Sequence, residues 1–183
     1  MASAETVPQA QNATQSPAAV PKLSPSDLTA YNRLAEHMDL YHNHFRQTWN
    51  TIYAACTVNR SPAGMSIRQF LSTGLEFCRN LEAHHSIEET YLFPMLSQKM
   101  PQFQKEQHLL EQHREIHKGL DLFQEYLGWC SSGQRELRLE ELKEIMDGFG
   151  KVLWAHLDDE VKTLGAENMR KYWTVQEMNE MLM

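Results

Sequence analysis

The sequence predicts an all-α protein built as an antiparallel up-and-down four-helix bundle, and three observations carry that expectation. Four long segments repeat apolar residues at three- and four-residue steps, the period of a helix with one buried face. Pro, Gly and Ser punctuate the chain between them at short intervals, which suits antiparallel neighbours. Strand-like alternation and hairpin dipeptides between apolar runs are absent, the lone Asp147-Gly148 falling inside the fourth stripe.

The first helix begins at Ser24-Pro25-Ser26-Asp27, which supplies a cap, a Pro at the first helical position and an early acid. Its stripe runs Tyr31, Leu34, Met38, His42, Phe45, Trp49, Ile52 and Cys56, so the helix covers roughly 25 to 57. Pro62 and Gly64 break the chain and Ser66 caps again. The second stripe is Phe70, Gly74, Phe77, Leu81, His84, Glu88, Leu92 and Met95, with a bend expected near Pro94 and an end at Pro101. A third runs Leu109, His113, Ile116, His117, Leu120, Phe123, Leu127 and Cys130 until Ser131-Ser132-Gly133. The fourth runs Leu142, Ile145, Phe149, Val152, Leu153, His156 and Glu160 and stops near Gly165. Thr174 and Glu177 stand in capping-box positions and predict a short closing helix. The expected organisation is a flexible tail over 1–23, a bundle over 24–165 and an extension over 166–183.

Composition narrows the function. The 183 residues are 42% hydrophobic, enough for a real core, and no apolar run approaches the roughly 20 residues of a membrane helix. A formal charge of −7 without a basic cluster leaves nothing to neutralise phosphates, so nucleic-acid and anionic-lipid partners are not expected. The first 22 residues lack the apolar centre of a secretory signal and contain no Arg. Cys56, Cys78 and Cys130 are far apart and outside any CxxC pattern. A soluble protein of a reducing, cytoplasmic compartment is therefore expected.

The informative residues are the polar ones that interrupt the stripes. His42, His84, Glu88, His113, His117, His156 and Glu160 stand where Leu, Phe or Met would otherwise serve. Burying seven such groups costs several kcal/mol unless they pair or coordinate a metal. At about 1.5 Å of rise per residue, the His84/Glu88 pair lies ~20 Å before the turn at Pro101 and the His113/His117 pair ~18 Å after it, which puts them at one level. His42 and the fourth-helix pair match more loosely. Residues four apart share a helix face, so His113 and His117 can grip one cation, while in His84/Glu88 and His156/Glu160 the carboxylate can reach further and bridge two. Five imidazoles and two carboxylates on facing helices suit a pair of iron or manganese ions.

These segments resemble the hemerythrin family in its HHE cation-binding branch. The resemblance rests on Tyr-His-Asn-His-Phe-Arg at 41–46, His-His-Ser-Ile-Glu-Glu-Thr-Tyr-Leu-Phe-Pro at 84–94, Gln-His-Arg-Glu-Ile-His at 112–117 and His-Leu-Asp-Asp-Glu at 156–160. It spans about 25–165, and the stretch from Phe45 through Trp49 looks most like fungal members. The resemblance implies a hemerythrin-like bundle in which His113, His117 and His156 hold one iron, His42 and His84 the other, and Glu88 and Glu160 bridge. It also implies an open position for dioxygen or a related diatomic ligand on the second iron. The pattern departs from the oxygen carriers, which place an Asp five residues after the last histidine: that position is Val161 here, and Glu160 takes the role.

Other readings compete at particular residues. His85 and Glu89 repeat the spacing of His84 and Glu88 about 100° further round the helix, and alignment with Phe77 and Leu81 favours His84. Glu82-x-x-His85 is half of a ferritin-type signature without a second half. His37, His44 and His108 read as surface or flanking histidines. A metal-free polar core leaves the inward imidazoles unexplained, and a zinc held by three histidines leaves Glu88 and Glu160 without a role. The expected function is a non-heme di-iron protein that binds oxygen or nitric oxide, handles iron or senses one of these. No acid, base, nucleophile or nucleotide motif lies outside the ligand set, which favours binding over catalysis. The alternatives are a di-iron oxidase, peroxidase or monooxygenase, which needs an organic-substrate pocket beside His42 and His84, and a metal-stapled interaction module.

Overall fold

The computed structural model describes residues 21–104 and 108–181. Of the expected tail, residues 1–20 lie outside the described residues, and Leu23 already packs on the core. Four long helices form the bundle: α1 (Pro25–Thr57), α2 (Ile67–Ile87), α4 (His108–Ser131) and α5 (Leu139–Thr163). Helix α1 packs beside α2 and α5, and α4 packs beside the same two, closing a ring of neighbours. The caps stand where the sequence puts them. Ser24 Oγ accepts from the Asp27 N–H at 3.1 Å, and Ser66 and Gln69 form a reciprocal capping box.

The bend before Pro101 takes a specific form. Residues Glu88–Leu92 make one π turn, which leads into the short α3 (Phe93–Leu96). Pro94 cannot donate to the carbonyl four residues earlier, and its ring crowds that carbonyl. The backbone widens, and Phe93 N–H bonds to the Glu88 carbonyl five residues back. A 3-10 turn at Pro101–Phe103 then leads towards α4. Beyond α5, the short α6 (Ala166–Met169) and α7 (Val175–Glu180) fold back over one end of the bundle. Thr174 caps α7 with Glu177 at the third position, Tyr31 Oη donates to the Trp173 carbonyl at 2.9 Å, and Arg33 donates to the carbonyls of Met178 and Met181.

Apolar packing is divided along the bundle. One cluster joins Trp49, Ile52, Phe77, Leu120, Phe123, Met146 and Phe149. The other, at the end covered by α6 and α7, joins Leu34, Met38, Phe93, Leu96, Leu109, Leu164 and Trp173. The buried polar residues His42, His85, Glu88, His113, His156 and Glu160 fall between these two clusters along their helices, so both sides of the polar layer are dry.

Glycine permits close helix approach at Gly74, Gly119 and Gly150. At Gly150 a Cβ would stand 2.8 Å from the Trp49 ring, while at Gly148 it would meet nothing. At Gly119 a Cβ would come within 2.3 Å of the Phe149 Cβ, an atom fixed to the α5 backbone. Gly119→Ala should therefore destabilise the fold by about 1–3 kcal/mol, because overpacking outweighs the roughly 1 kcal/mol that Ala gains in helix propensity. Urea titration checks this, and a midpoint equal to or above wild type would show that the α4–α5 seam can relax. No helix among the described residues is long and apolar enough to cross a membrane.

Candidate metal centre

Four helices and the π turn bring the polar residues to one level. His42 comes from α1, His84 and His85 from α2, Glu88 from the π turn, His113 from α4, and His156 and Glu160 from α5. His42, His85, His113, His156 and Glu160 are each 0% exposed and Glu88 is 2% exposed. Their donor atoms form two groups of metal-ligand dimensions, one of His85, Glu88, His113 and His156, the other of His42, His84, Glu88 and Glu160. Glu88 belongs to both.

The hydrogen bonds around the layer fix which ring nitrogens face inward. His42 Nδ1 lies 3.0 Å from the Leu157 carbonyl, which can only accept, so Nδ1 carries the proton and Nε2 offers a lone pair. His113 Nδ1–H donates to Glu89 Oε1 at 2.7 Å in the same way. His156 Nδ1–H faces Gln112 Oε1 at 3.4 Å, and the Gln112 amide is oriented by donating from Nε2 to Asp159 Oδ2 at 3.0 Å. Such outer contacts orient metal-binding imidazoles and fix their tautomer.

The inward nitrogens converge in pairs. His42 Nε2 lies 3.2 Å from His84 Nε2, and His113 Nε2 lies 3.2 Å from His156 Nε2. The carboxylates span the pairs: Glu88 Oε1 is 2.8 Å from His84 Nε2 while its Oε2 is 3.4 Å from His113 Nε2. Glu160 Oε2 is 3.4 Å from His42 Nε2 and 3.6 Å from His156 Nε2. Neither carboxylate finds a hydrogen-bond donor in suitable geometry, and neither nitrogen of His85 has a partner.

Burial governs the charges. It outweighs the attraction of Glu160 and lowers His84 to about 4 and His156 to about 3. Burial and the surrounding imidazoles hold His85 well below the ordinary histidine range, and burial lowers His113 despite its bond to Glu89. Burial thus favours the neutral form of His84, His85, His113 and His156, the form that metals require. Burial, with the Glu160 and Glu89 charges, drives Glu88 well above the usual carboxylate range. Orphaned carboxylate oxygens facing convergent imidazole lone pairs in a buried layer fit a pair of divalent cations, which supply the positive charge the protein itself does not.

The seven residues expected from the stripes are not all placed alike. His42, His84, Glu88, His113, His156 and Glu160 meet in the layer, whereas His117 is half-buried and belongs to neither group. His85, which stripe alignment passes over, sits inside, its ring stacked 3.9 Å from His113 and 5.2 and 5.3 Å from His117 and His156. Glu89 is an outer partner of His113 although its side chain is 44% exposed. The signal that could have found His85 is the doublet itself: His84-His85 with Glu88-Glu89 gives two parallel four-residue pairs on adjacent strips of one helix.

A four-helix bundle carrying buried histidines and carboxylates at one level is a metal-binding bundle. The chain belongs to the hemerythrin family: residues 33–167 match the hemerythrin HHE cation binding domain. A fungal relative, the dimeric xanthone biosynthesis cluster protein R11 of Cryptosporiopsis sp. (strain 8999), is 29% identical over 154 residues, covering 80% of this chain. The match spans 56% of that relative's length. No solved structure is a significant match.

Proposed function

We propose that the chain is a non-heme di-iron protein whose buried centre binds dioxygen or a related small ligand. His85, His113 and His156 hold one ion, His42 and His84 the other, and Glu88 and Glu160 bridge them. The observation that carries this reading is the reach of the carboxylates, since each approaches one histidine of either pair. Bound iron supplies redox chemistry and a coordination position for a small ligand. The protein's own part is to fix the imidazole tautomers through Leu157, Glu89 and Gln112 and to flank the centre with two apolar clusters along the bundle.

Elemental analysis after iron-replete expression is expected to find about two irons per chain. One zinc and no iron would overturn the di-iron reading. Because Glu160 carries one more methylene than the Asp of the carriers, the bridge is longer and more mobile, and the reduced protein is expected to oxidise irreversibly in air. Full recovery of the reduced spectrum over repeated cycles of oxygen and vacuum would instead favour reversible carriage.

An enzyme acting on an organic molecule is the second reading, and one observation favours it: a cavity of about 700 Å³ opens beside His84 and Glu88. The fungal relative's name, which places it in a biosynthetic cluster for dimeric xanthones, agrees with such a role.

A further inference from the structure

The cavity lies in the seam between α1 and α2, the neighbouring long helices that touch each other least. Leu34, Met38 and Phe45 form its α1 wall, and Ala83, Ile87 and Leu92 form the facing wall. The inner end is His84 and Glu88, so the wall of the cavity and the candidate metal centre share two side chains. At the mouth stand Tyr41, Ile87 and Tyr91, 48%, 59% and 71% exposed, whose apolar surface nothing among the described residues covers.

Its size is that of a site for a small organic ligand, about 300–1,000 Å³. Its chemistry is asymmetric. Aliphatic, thioether and aromatic groups line the length, and polar atoms of the centre lie at one end. Among the described residues lining it there is no Lys or Arg to meet an anion. The rim histidines, His37 and His44, are exposed. The π turn contributes both sides of this arrangement, aiming Glu88 inward and setting Tyr91 and Leu92 along the cavity.

We infer that this cavity is a binding site for a neutral, ring-bearing organic molecule whose single hydroxyl or carbonyl group points at His84 and Glu88. The inference deepens the di-iron reading, because the polar end of the ligand then lies against the metal-binding residues.

The test uses 2-naphthol as the neutral probe and 2-naphthoate as its anionic counterpart, titrated by calorimetry into the full chain with and without iron. 2-Naphthol is expected to bind the metal-free chain with a Kd of about 100 µM or tighter, and 2-naphthoate to bind that form about tenfold more weakly or worse. Ala83→Trp, on an exposed helix position that fills the cavity from its wall, should weaken 2-naphthol about tenfold. Circular dichroism verifies that the variant is folded, and Ile87→Trp replaces it if it is not. In the iron-loaded protein, saturation with 2-naphthol should shift the optical bands of the metal.

Undiminished binding by both folded tryptophan variants, or equal affinity for the anion, would overturn the site. Binding that leaves the bands of loaded protein unmoved would overturn the contact with the centre. Binding that appears only after deletion of residues 1–20 would assign the cavity to that segment and overturn a small-molecule site. Since titration of the metal-free chain needs no iron, 2-naphthol binding with a failed iron stoichiometry would condemn the di-iron reading alone, and correct stoichiometry without binding would condemn the cavity alone.

Discussion

His85→Ala is expected to reduce bound iron from about two per chain to about one, whereas His117→Ala retains about two at saturating iron. His85 is fully buried, both its nitrogens lack partners, and its donors group with those of Glu88, His113 and His156. His117 is half-buried and outside that group. An ion present at a thousand times its Kd stabilises the fold by about 4 kcal/mol. For a chain of this size its loss lowers the melting temperature by about 10 °C. Iron analysis and thermal melts on the two variants, each loaded and chelated, make the measurement. If His117→Ala lost the ion and His85→Ala kept it, the first ion would belong to the set of His113, His117 and His156 that the family resemblance implies.

The second large effect changes sign with the metal. Glu88 is 2% exposed, has no hydrogen-bond donor and is held well above the usual carboxylate range by burial and by the Glu160 and Glu89 charges. In the chelated protein it is a buried polar group without a partner, so Glu88→Leu should leave stability unchanged or raise it by about 1–3 kcal/mol. In the iron-loaded protein the same substitution would remove the carboxylate proposed to bridge the ions and should lower the melting temperature by about 10 °C. A group kept only for packing or a polar network would destabilise both forms alike. Melts with and without chelator decide between the two, and a substitution that destabilises both forms equally would remove Glu88 from the metal site.

Much of this protein is legible in its amino-acid order because the responsible forces are local. Ser24, Ser66 and Thr174 each satisfy an N–H group three residues ahead, so helix starts could be placed from sequence. The apolar stripes predict four helices with buried faces, and α1, α4 and α5 run close to their expected limits. Six of the seven stripe-breaking polar residues meet in one layer, because rise per residue converts sequence position into height along a bundle. The cost of burying charge explains why those residues share a level between two dry clusters.

Azimuth was harder to read than height. Adjacent residues on a helix differ by about 100°, and stripe alignment gives the inner position of α2 to His84 alone. The assembled bundle gives that helix two inward directions, His84 towards His42 of α1 and His85 towards His113 and His156 of α4 and α5. The π turn likewise depends on more than a proline, since a bend is expected at Pro94 but its conversion into an inward Glu88 needs the surrounding packing.

The sequence by itself determined the four long helices, their caps and the level at which imidazoles and carboxylates gather, because period, capping and burial preference act over a few residues. Tertiary structure alone decided the rest: that His85 enters the layer and His117 stays at its edge, that Glu89 and Gln112 orient the rings, and that a cavity opens beside His84. Each of these depends on where one helix faces another, and the rotation and separation of packed helices are set by the summed fit of side chains from all four, which no single segment encodes.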